Sequence, residues 1–275
     1  MYNISFPKLG LEFNINPIAF SFWGITVYWY GIILACGFIT ALIYTMKNCD
    51  RFSINKDKFL DCVIVGIITG LIGARLFYVF FFPGDKYIKN PISILYINEG
   101  GIAIYGGIIG GLLGGILVAK IKKLNIKRAL DLACLGFLIG QAIGRWGNFT
   151  NQEAFGGPTT SIFGMASQNT MLESSLPVHP CFLYESFWCI LGFILLDIFT
   201  RKCKYFDGQI FLMYIVWYGF ERFFIEALRT DSLIIPILGL KVSQVIAALS
   251  IVIGVTLIIV FKCRYKKQGV KIKNV

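Results

Sequence analysis

Residues 129–156 read ALDLACLGFLIGQAIGRWGNFTNQEAFG, an apolar run that ends abruptly in Arg145, Asn148, Asn151 and Glu153. The part from Ala129 to Phe149 is long enough to cross a bilayer, which takes about 20 apolar residues. An arginine inside or at the edge of the hydrocarbon costs at least ~2.5 kcal/mol on insertion scales, so it is kept there by a partner or a ligand. One reading makes Arg145 and Trp146 an interfacial anchor, with the guanidinium snorkelling to the headgroups. The other makes the stretch a site, because anchoring does not call for Gly144, Gly147, Gly156, two asparagines and a glutamate as well.

The rest of the chain agrees with a membrane setting. It has 275 residues, 56% of them hydrophobic, with a mean hydropathy of +0.71. Apolar runs of spanning length lie near 23–46, 59–82, 102–119, 129–149, 182–200, 209–227 and 242–261. This predicts an all-α polytopic membrane protein of seven transmembrane helices in a single domain, 1–275, with 150–180 as a small extracytoplasmic cap. Lys8 and Glu12 before the first run and a basic loop after it are the wrong charge order for a cleaved signal peptide, so the start of the chain is expected to be retained.

Lysine and arginine set the orientation. Alternate connections and the tail carry Lys47, Arg51, Lys56 and Lys58, then Lys120 to Arg128, then Arg201, Lys202 and Lys204, then Lys262 to Lys273, eighteen in all. The opposite side has five, Lys8, Lys86, Lys89, Arg229 and Lys241. The N-terminus is therefore expected outside and the C-terminus in the cytoplasm. The net charge of +11 follows from this bias and from anionic inner-leaflet lipid, so no nucleic-acid partner is needed. The eight cysteines show no metal-ligand or redox spacing and read as small hydrophobes, and His179 is the one histidine. No metal or cofactor is expected.

With directions assigned, polar groups acquire a depth. Tyr30-Gly31, Arg75, Tyr105-Gly106-Gly107, the Arg145 stretch, His179-Pro180 with Tyr184-Glu185, and Tyr218 to Arg229 all fall toward the outer leaflet. Asp61, Asp131 and Asp197 fall toward inner ends, where caps or interfacial charges are expected. Arg222, Glu226 and Arg229 are spaced i, i+4, i+7 and share one helix face with Tyr218, either as a salt-bridge ladder or as part of a site. Gly106, Gly107, Gly110, Gly111, Gly114 and Gly115 form small-xxx-small rows suited to close helix packing. The 150–180 segment has Glu153 and Glu173 and neither lysine nor arginine. Arginine forks at such a boundary suit a phosphate, with tyrosine and glutamate as proton-transfer groups, and together they describe a site for a phospholipid headgroup.

The Gly144–Gly156 stretch resembles the signature of the prolipoprotein diacylglyceryl transferases. The likeness runs on through Tyr30-Gly31, Gly73-Ala74-Arg75, Gly106-Gly107, His179-Pro180, Tyr184-Glu185 and Arg222 to Arg229. It implies a bacterial cytoplasmic-membrane enzyme with its active site facing the outer leaflet. That enzyme moves the diacylglyceryl group of phosphatidylglycerol onto the lipobox cysteine of a preprolipoprotein and releases glycerol 1-phosphate. By the resemblance, Arg145, Arg222, Tyr105 and Tyr30 are catalytic. Arg145, Asn148, Asn151, Glu153, Gly156, Tyr218, Glu226 and Arg229 bind the lipid. Many members carry histidine where this chain has Tyr105, and a phenol of pKa ~10 is a poor base at neutral pH. The competing class is a secondary transporter. It is disfavoured because no internal repeat joins the halves and the polar groups gather at one leaflet. A light-driven protein would need a Schiff-base lysine that 242–261 lacks.

Overall fold

The computed structural model describes residues 2–96, 100–230, 232, 234–235 and 239–267. Lys271 and Lys273 of the expected basic tail lie outside the described residues. In chain order the elements are β1 (Tyr2–Phe6), β2 (Leu11–Ile15), β3 (Ile18–Phe22), β4 (Ile25–Tyr28), α1 (Trp29–Asn48), α2 (Lys56–Phe80), α3 (Lys86–Lys89), α4 (Ile104–Ile121), α5 (Ile126–Asn151), β5 (Ala166–Ser167), α6 (Gln168–Glu173), α7 (Cys181–Lys202), α8 (Gln209–Leu228) and α9 (Val242–Lys267). Each expected span falls on a long helix. Among the described residues α1, α2, α4, α7 and α9 are long and apolar enough to cross a membrane, which makes this a polytopic membrane protein. Polar side chains such as Arg145 and Asn148 in α5, and Glu221, Arg222 and Glu226 in α8, dilute the apolar character of the other two.

Two expectations are corrected. The molecule is mostly helical but not all-α, and the first span starts at Trp29 instead of Trp23. Residues 2–15 form an antiparallel pair in which Ser5 faces Glu12, and β5 adds to the other edge of β1 with Ile4 opposite Ser167. The signal was the period-2 alternation that buries Ile4 and Phe6 and leaves the residues between them on the other face. β3 and β4 form a hairpin because Trp23 and Gly24 both take positive φ, 48° and 79°, and because Ile25, Thr26 and Val27 favour a strand.

The chain divides into two compact units, Met1–Thr45 with Asp131–Val275, and Met46–Leu130. In the first, Ile4, Phe6, Phe149, Phe155, Met165, Val178 and Phe182 make a core that binds the N-terminal sheet to the 150–180 segment and to the ends of α5 and α7. A capping box of Ser167 and Thr170 starts α6 within that segment. Below it, α5 lies close against α1, where a Cβ on Gly37 would stand 3.1 Å from the Gly140 carbonyl. Trp188 of α7 and Trp217 of α8 stack at 4.5 Å, and each donates to the other's carbonyl at 3.1 Å. Fully buried Asp131 of α5 caps the start of α8, accepting from the amides of Gly208 (2.8 Å) and Phe211 (2.9 Å) and pairing with Lys204 at 3.0 Å. Asp197 accepts from Tyr44 at 2.6 Å and from Arg201 at 2.9 Å. These aspartates hold helix ends.

In the second unit the glycine rows of α4 meet glycines of α2. A Cβ on Gly66 would lie 3.2 Å from the Gly111 carbonyl, and one on Gly70 3.3 Å from that of Gly107. This is the backbone approach that small residues permit between membrane helices. Asp61 pairs with Lys122 at 2.7 Å across the same two helices. Arg75, only 4% exposed, spends all five of its N–H donors on backbone carbonyls. Nε donates to Ile94 (2.8 Å), Nη1 to Gly100 (2.6 Å) and Gly101 (2.9 Å), and Nη2 to Ser93 (2.8 Å) and Tyr96 (3.1 Å). Together with the bond from the Ala103 amide to the Ala74 carbonyl, this fixes the approach to α4. No disulfide joins the eight cysteines, all of them among the described residues, five buried and three exposed.

Candidate active site

α5 ends at Asn151, and left-handed Gln152 and Ala154 (φ 53° and 58°) turn the chain back over the helix end. The turn lets the Glu153 amide donate to the Asn148 carbonyl at 3.1 Å, while Asn148 Nδ2 donates to Glu153 Oε1 at 2.9 Å. Gly147 leaves room for the Tyr30 ring, which a Cβ there would meet at 2.7 Å. Tyr30 thus comes within electrostatic reach of Glu153 and Arg145. Beside this turn, Tyr30, Asn151, Glu153, Pro17 and Tyr28 help line an open cavity of about 720 Å³.

One carboxylate gathers the arginines. Glu185 of α7 is 1% exposed, and its Oε1 lies 3.0 Å from Arg145 Nη2 of α5 and 3.5 Å from Arg222 Nη1 of α8. Arg222 Nη2 also pairs with Glu226 Oε2 one turn on, at 2.6 Å. Glu221, 4% exposed, sets its carboxylate 3.7–3.8 Å from Cys189 Sγ, which donates to it. Desolvating such charges costs several kcal/mol per ion, which offsets much of their mutual attraction. Besides the Glu185 pair through Nη2, Arg145 lies in electrostatic reach of Tyr218 and Glu221. Tyr218 lies in electrostatic reach of both arginines, and its ring stacks on Tyr214 at 6.0 Å.

A family model for prolipoprotein diacylglyceryl transferase matches residues 17–260. The chain belongs to the prolipoprotein diacylglyceryl transferase family. Three relatives carry the name phosphatidylglycerol–prolipoprotein diacylglyceryl transferase. That of Clostridium novyi is 43% identical over 89% of this chain and 95% of its own length. Those of Bacillus cytotoxicus and Staphylococcus aureus are 41% and 38% identical, over 92% and 94% of this chain and 94% and 93% of theirs.

For this diacylglyceryl transferase family member, Tyr30, Arg145, Asn148, Asn151, Glu153, Gly156, Tyr218, Arg222, Glu226 and Arg229 all fall in one compact unit, while Tyr105 stands in the first turn of α4 in the other. Arg75, grouped with the outer polar residues by sequence, is committed to backbone. Sequence reasoning gave no role to Glu185, though it quoted the residue beside Tyr184, nor to Glu221. The available signal was a carboxylate inside an otherwise apolar helix. Lys241 was also missed. Its Nζ donates to the carbonyls of Glu226 (2.6 Å) and Arg229 (2.8 Å), capping the end of α8 and holding the Arg229 backbone. No group of three or more histidines, cysteines or acids among the described residues is placed to hold a metal ion.

Gly156 and Gly157 thread between two segments, with amides donating to the carbonyls of His179 (2.9 Å) and Leu228 (2.8 Å). The His179 amide returns a bond to the Gly157 carbonyl at 3.1 Å, so the His-Pro step is a structural junction. Partial burial pushes the His179 imidazole down, which keeps it neutral at neutral pH. A Cβ on Gly156 would meet His179 Cβ at 2.9 Å, the Leu228 carbonyl at 3.0 Å and Cys181 Sγ at 3.1 Å. Gly156→Ala is therefore expected to cost about 1–3 kcal/mol as overpacking and to loosen the start of the Arg229 segment. An unchanged melting midpoint in detergent would refute this account of the glycine.

Proposed function

We propose that this chain transfers the diacylglyceryl group of phosphatidylglycerol to the thiol of a lipobox cysteine in preprolipoproteins, forming a thioether and releasing glycerol 1-phosphate. The observation that carries the reading is the pair of arginines, Arg145 and Arg222, drawn onto one buried carboxylate in a family whose named members are phosphatidylglycerol–prolipoprotein diacylglyceryl transferases. In the reaction the cysteine sulfur loses its proton and attacks the glycerol carbon that bears the phosphate ester. That carbon–oxygen bond breaks, and the phosphate leaves carrying the electron pair. Two guanidinium groups gathered at one carboxylate supply electrostatic stabilisation where charge develops on the leaving phosphate. Asn148 and Glu153 orient one another, with Tyr30, Asn151, Tyr218, Glu226 and Arg229 completing the polar pocket.

The chain then works as one transmembrane domain of seven spans in a bacterial cytoplasmic membrane, N-terminus out, with 150–180 over a site at the outer leaflet. The lysine and arginine bias supports this orientation. A membrane-impermeant thiol reagent is expected to reach cysteines placed at Thr159 or Ser174 in intact cells and not at Asn125 or Lys204, and labelling of the opposite set would overturn it. The reaction itself is tested by incubating purified protein with phosphatidylglycerol and a lipobox peptide. Glycerol phosphate and a thioether-linked peptide are expected, and the absence of both refutes the assignment.

Tyr105 is assigned to orienting the lipid phosphate instead of deprotonating the thiol, because the departing phosphate is the larger electrostatic problem. Tyr105→Phe is then expected to cost about 1.5–3 kcal/mol, the worth of one hydrogen bond to a charged group. That is roughly one to two decades in rate, with the pH profile unmoved. A loss of about three decades or more, recovered in Tyr105→His with a profile shifted toward imidazole, would make it the base.

A further inference from the structure

The β3–β4 hairpin carries its apolar side chains on the outside. Trp23 is 91% exposed, Ile25 69%, Phe22 66% and Phe20 56%. The register sets Phe22 opposite Ile25 and Phe20 opposite Val27, which gathers apolar pairs on one face. Ser21 and Thr26 pair on the other face, with hydroxyls 3.4 Å apart. At the tip the Phe22 and Trp23 rings stack at 5.4 Å. Trp23 holds a left-handed backbone at φ 48°, a conformation that Asn, Asp or Gly takes at less cost. A bulky aromatic kept at a turn that disfavours it, and then left in the open, has its use outside the fold.

What covers it is indicated by charge and position. No Asp, Glu, Lys, Arg or His occurs between Glu12 and Lys47, so hairpin and following helix form one uncharged stretch. β4 ends at Tyr28 and α1, a helix able to cross a membrane, begins at Trp29, whose amide is tied to the Pro17 carbonyl at 2.9 Å. A five-residue strand reaches about 16 Å, so the tip stays within the depth of one leaflet of where α1 enters it. Aromatic rings favour that boundary. A charged peptide would find no ion-pair partner here. The second strand of the hairpin, through Thr26, Val27 and Tyr28, borders with Pro17 the cavity of Tyr30, Asn151 and Glu153.

We propose that the hairpin is a lipid-inserted wall of the polar cavity, with Phe20, Phe22, Trp23 and Ile25 set among the phospholipids at this end of α1 and Thr26 and Tyr28 turned to the cavity. The inference rests on α1 crossing the membrane and not on the reaction assigned above. The test places a benzophenone amino acid at position 22, 23 or 12 of the full chain and irradiates native membranes. Positions 22 and 23 are expected to gain the mass of one phospholipid, and exposed Glu12 is not. In a Trp23→Asp background the lipid adduct at 22 should fall several-fold, because the carboxylate keeps the tip in water. The proposal is overturned by equal lipid yields at 12 and 22, by no lipid adduct at 22 and 23, or by adducts there with a preprolipoprotein or another protein. Each outcome is read without measuring transferase activity.

Discussion

Arg145→Ala is expected to abolish diacylglyceryl transfer in a protein that still inserts and folds. Losing one preset donor to a developing charge costs roughly 10²–10³ in rate, and the fork supplies more than one, so a loss of about three decades or more is expected. Arg145→Lys should also fail, by about two decades, because a compact ammonium cannot hold phosphate at two points. The structure adds a way to separate chemistry from folding. Truncating Arg145 removes the shorter of the two ion pairs of Glu185 found among the described residues and leaves that with Arg222 at 3.5 Å, and breaking a buried pair costs about 3–5 kcal/mol, less here because the Arg145 side chain is 20% exposed. The double variant Arg145→Ala/Glu185→Gln is therefore expected to recover the melting midpoint and no activity. Glycerol phosphate release near the wild-type rate in any of the three would remove Arg145 from the reaction.

Arg75→Ala is expected to act in the opposite sense, on structure first. Five backbone carbonyls lose a charged donor at once, each such bond being worth about 1.5–3 kcal/mol singly. Even with strong overlap among them, the loss should reach about 3 kcal/mol or more, the upper end for point mutations. Arg75→Lys should recover only part, because an ammonium has three donors for five carbonyls. All five tryptophans lie outside Met46–Leu130, so their fluorescence does not report on this unit directly. The measurement is hydrogen exchange. Amides of 93–96 and 100–103 should exchange faster in Arg75→Ala, while those of the Phe149–Phe182 core stay protected. Unchanged exchange in the first set would show that the clamp is not needed.

Those two arginines show where the sequence was sufficient and where it was not. Apolar runs of spanning length fell on seven long helices, to within three residues at five of them, while α1 starts six residues later and α9 ends six residues later than the runs suggested. The signature after Ala129 identified the family. Glycine rows in α4 announced close packing, since a missing Cβ has one main use there. The N-terminal strands were legible in principle, through the alternation of Ile4 and Phe6, but Trp23 and the residues of β4 merged with the following helix into one apolar run. β4 ends at Tyr28 and α1 begins at Trp29, with no charged residue at that boundary.

What one dimension could not supply was partnership. Arg75 and Arg145 look alike in sequence, each an arginine beside glycine or alanine in an apolar run. Tertiary structure surrounds the first with five carbonyls and sets the second against Glu185, forty residues away on another helix. Glu221 and Lys241 became visible in the same way. A charge is costly wherever the medium is apolar, so the sequence alone determines that each of these residues has a partner. Which partner it has depends on which helix faces lie within about 4 Å of one another, and only the folded chain decides that.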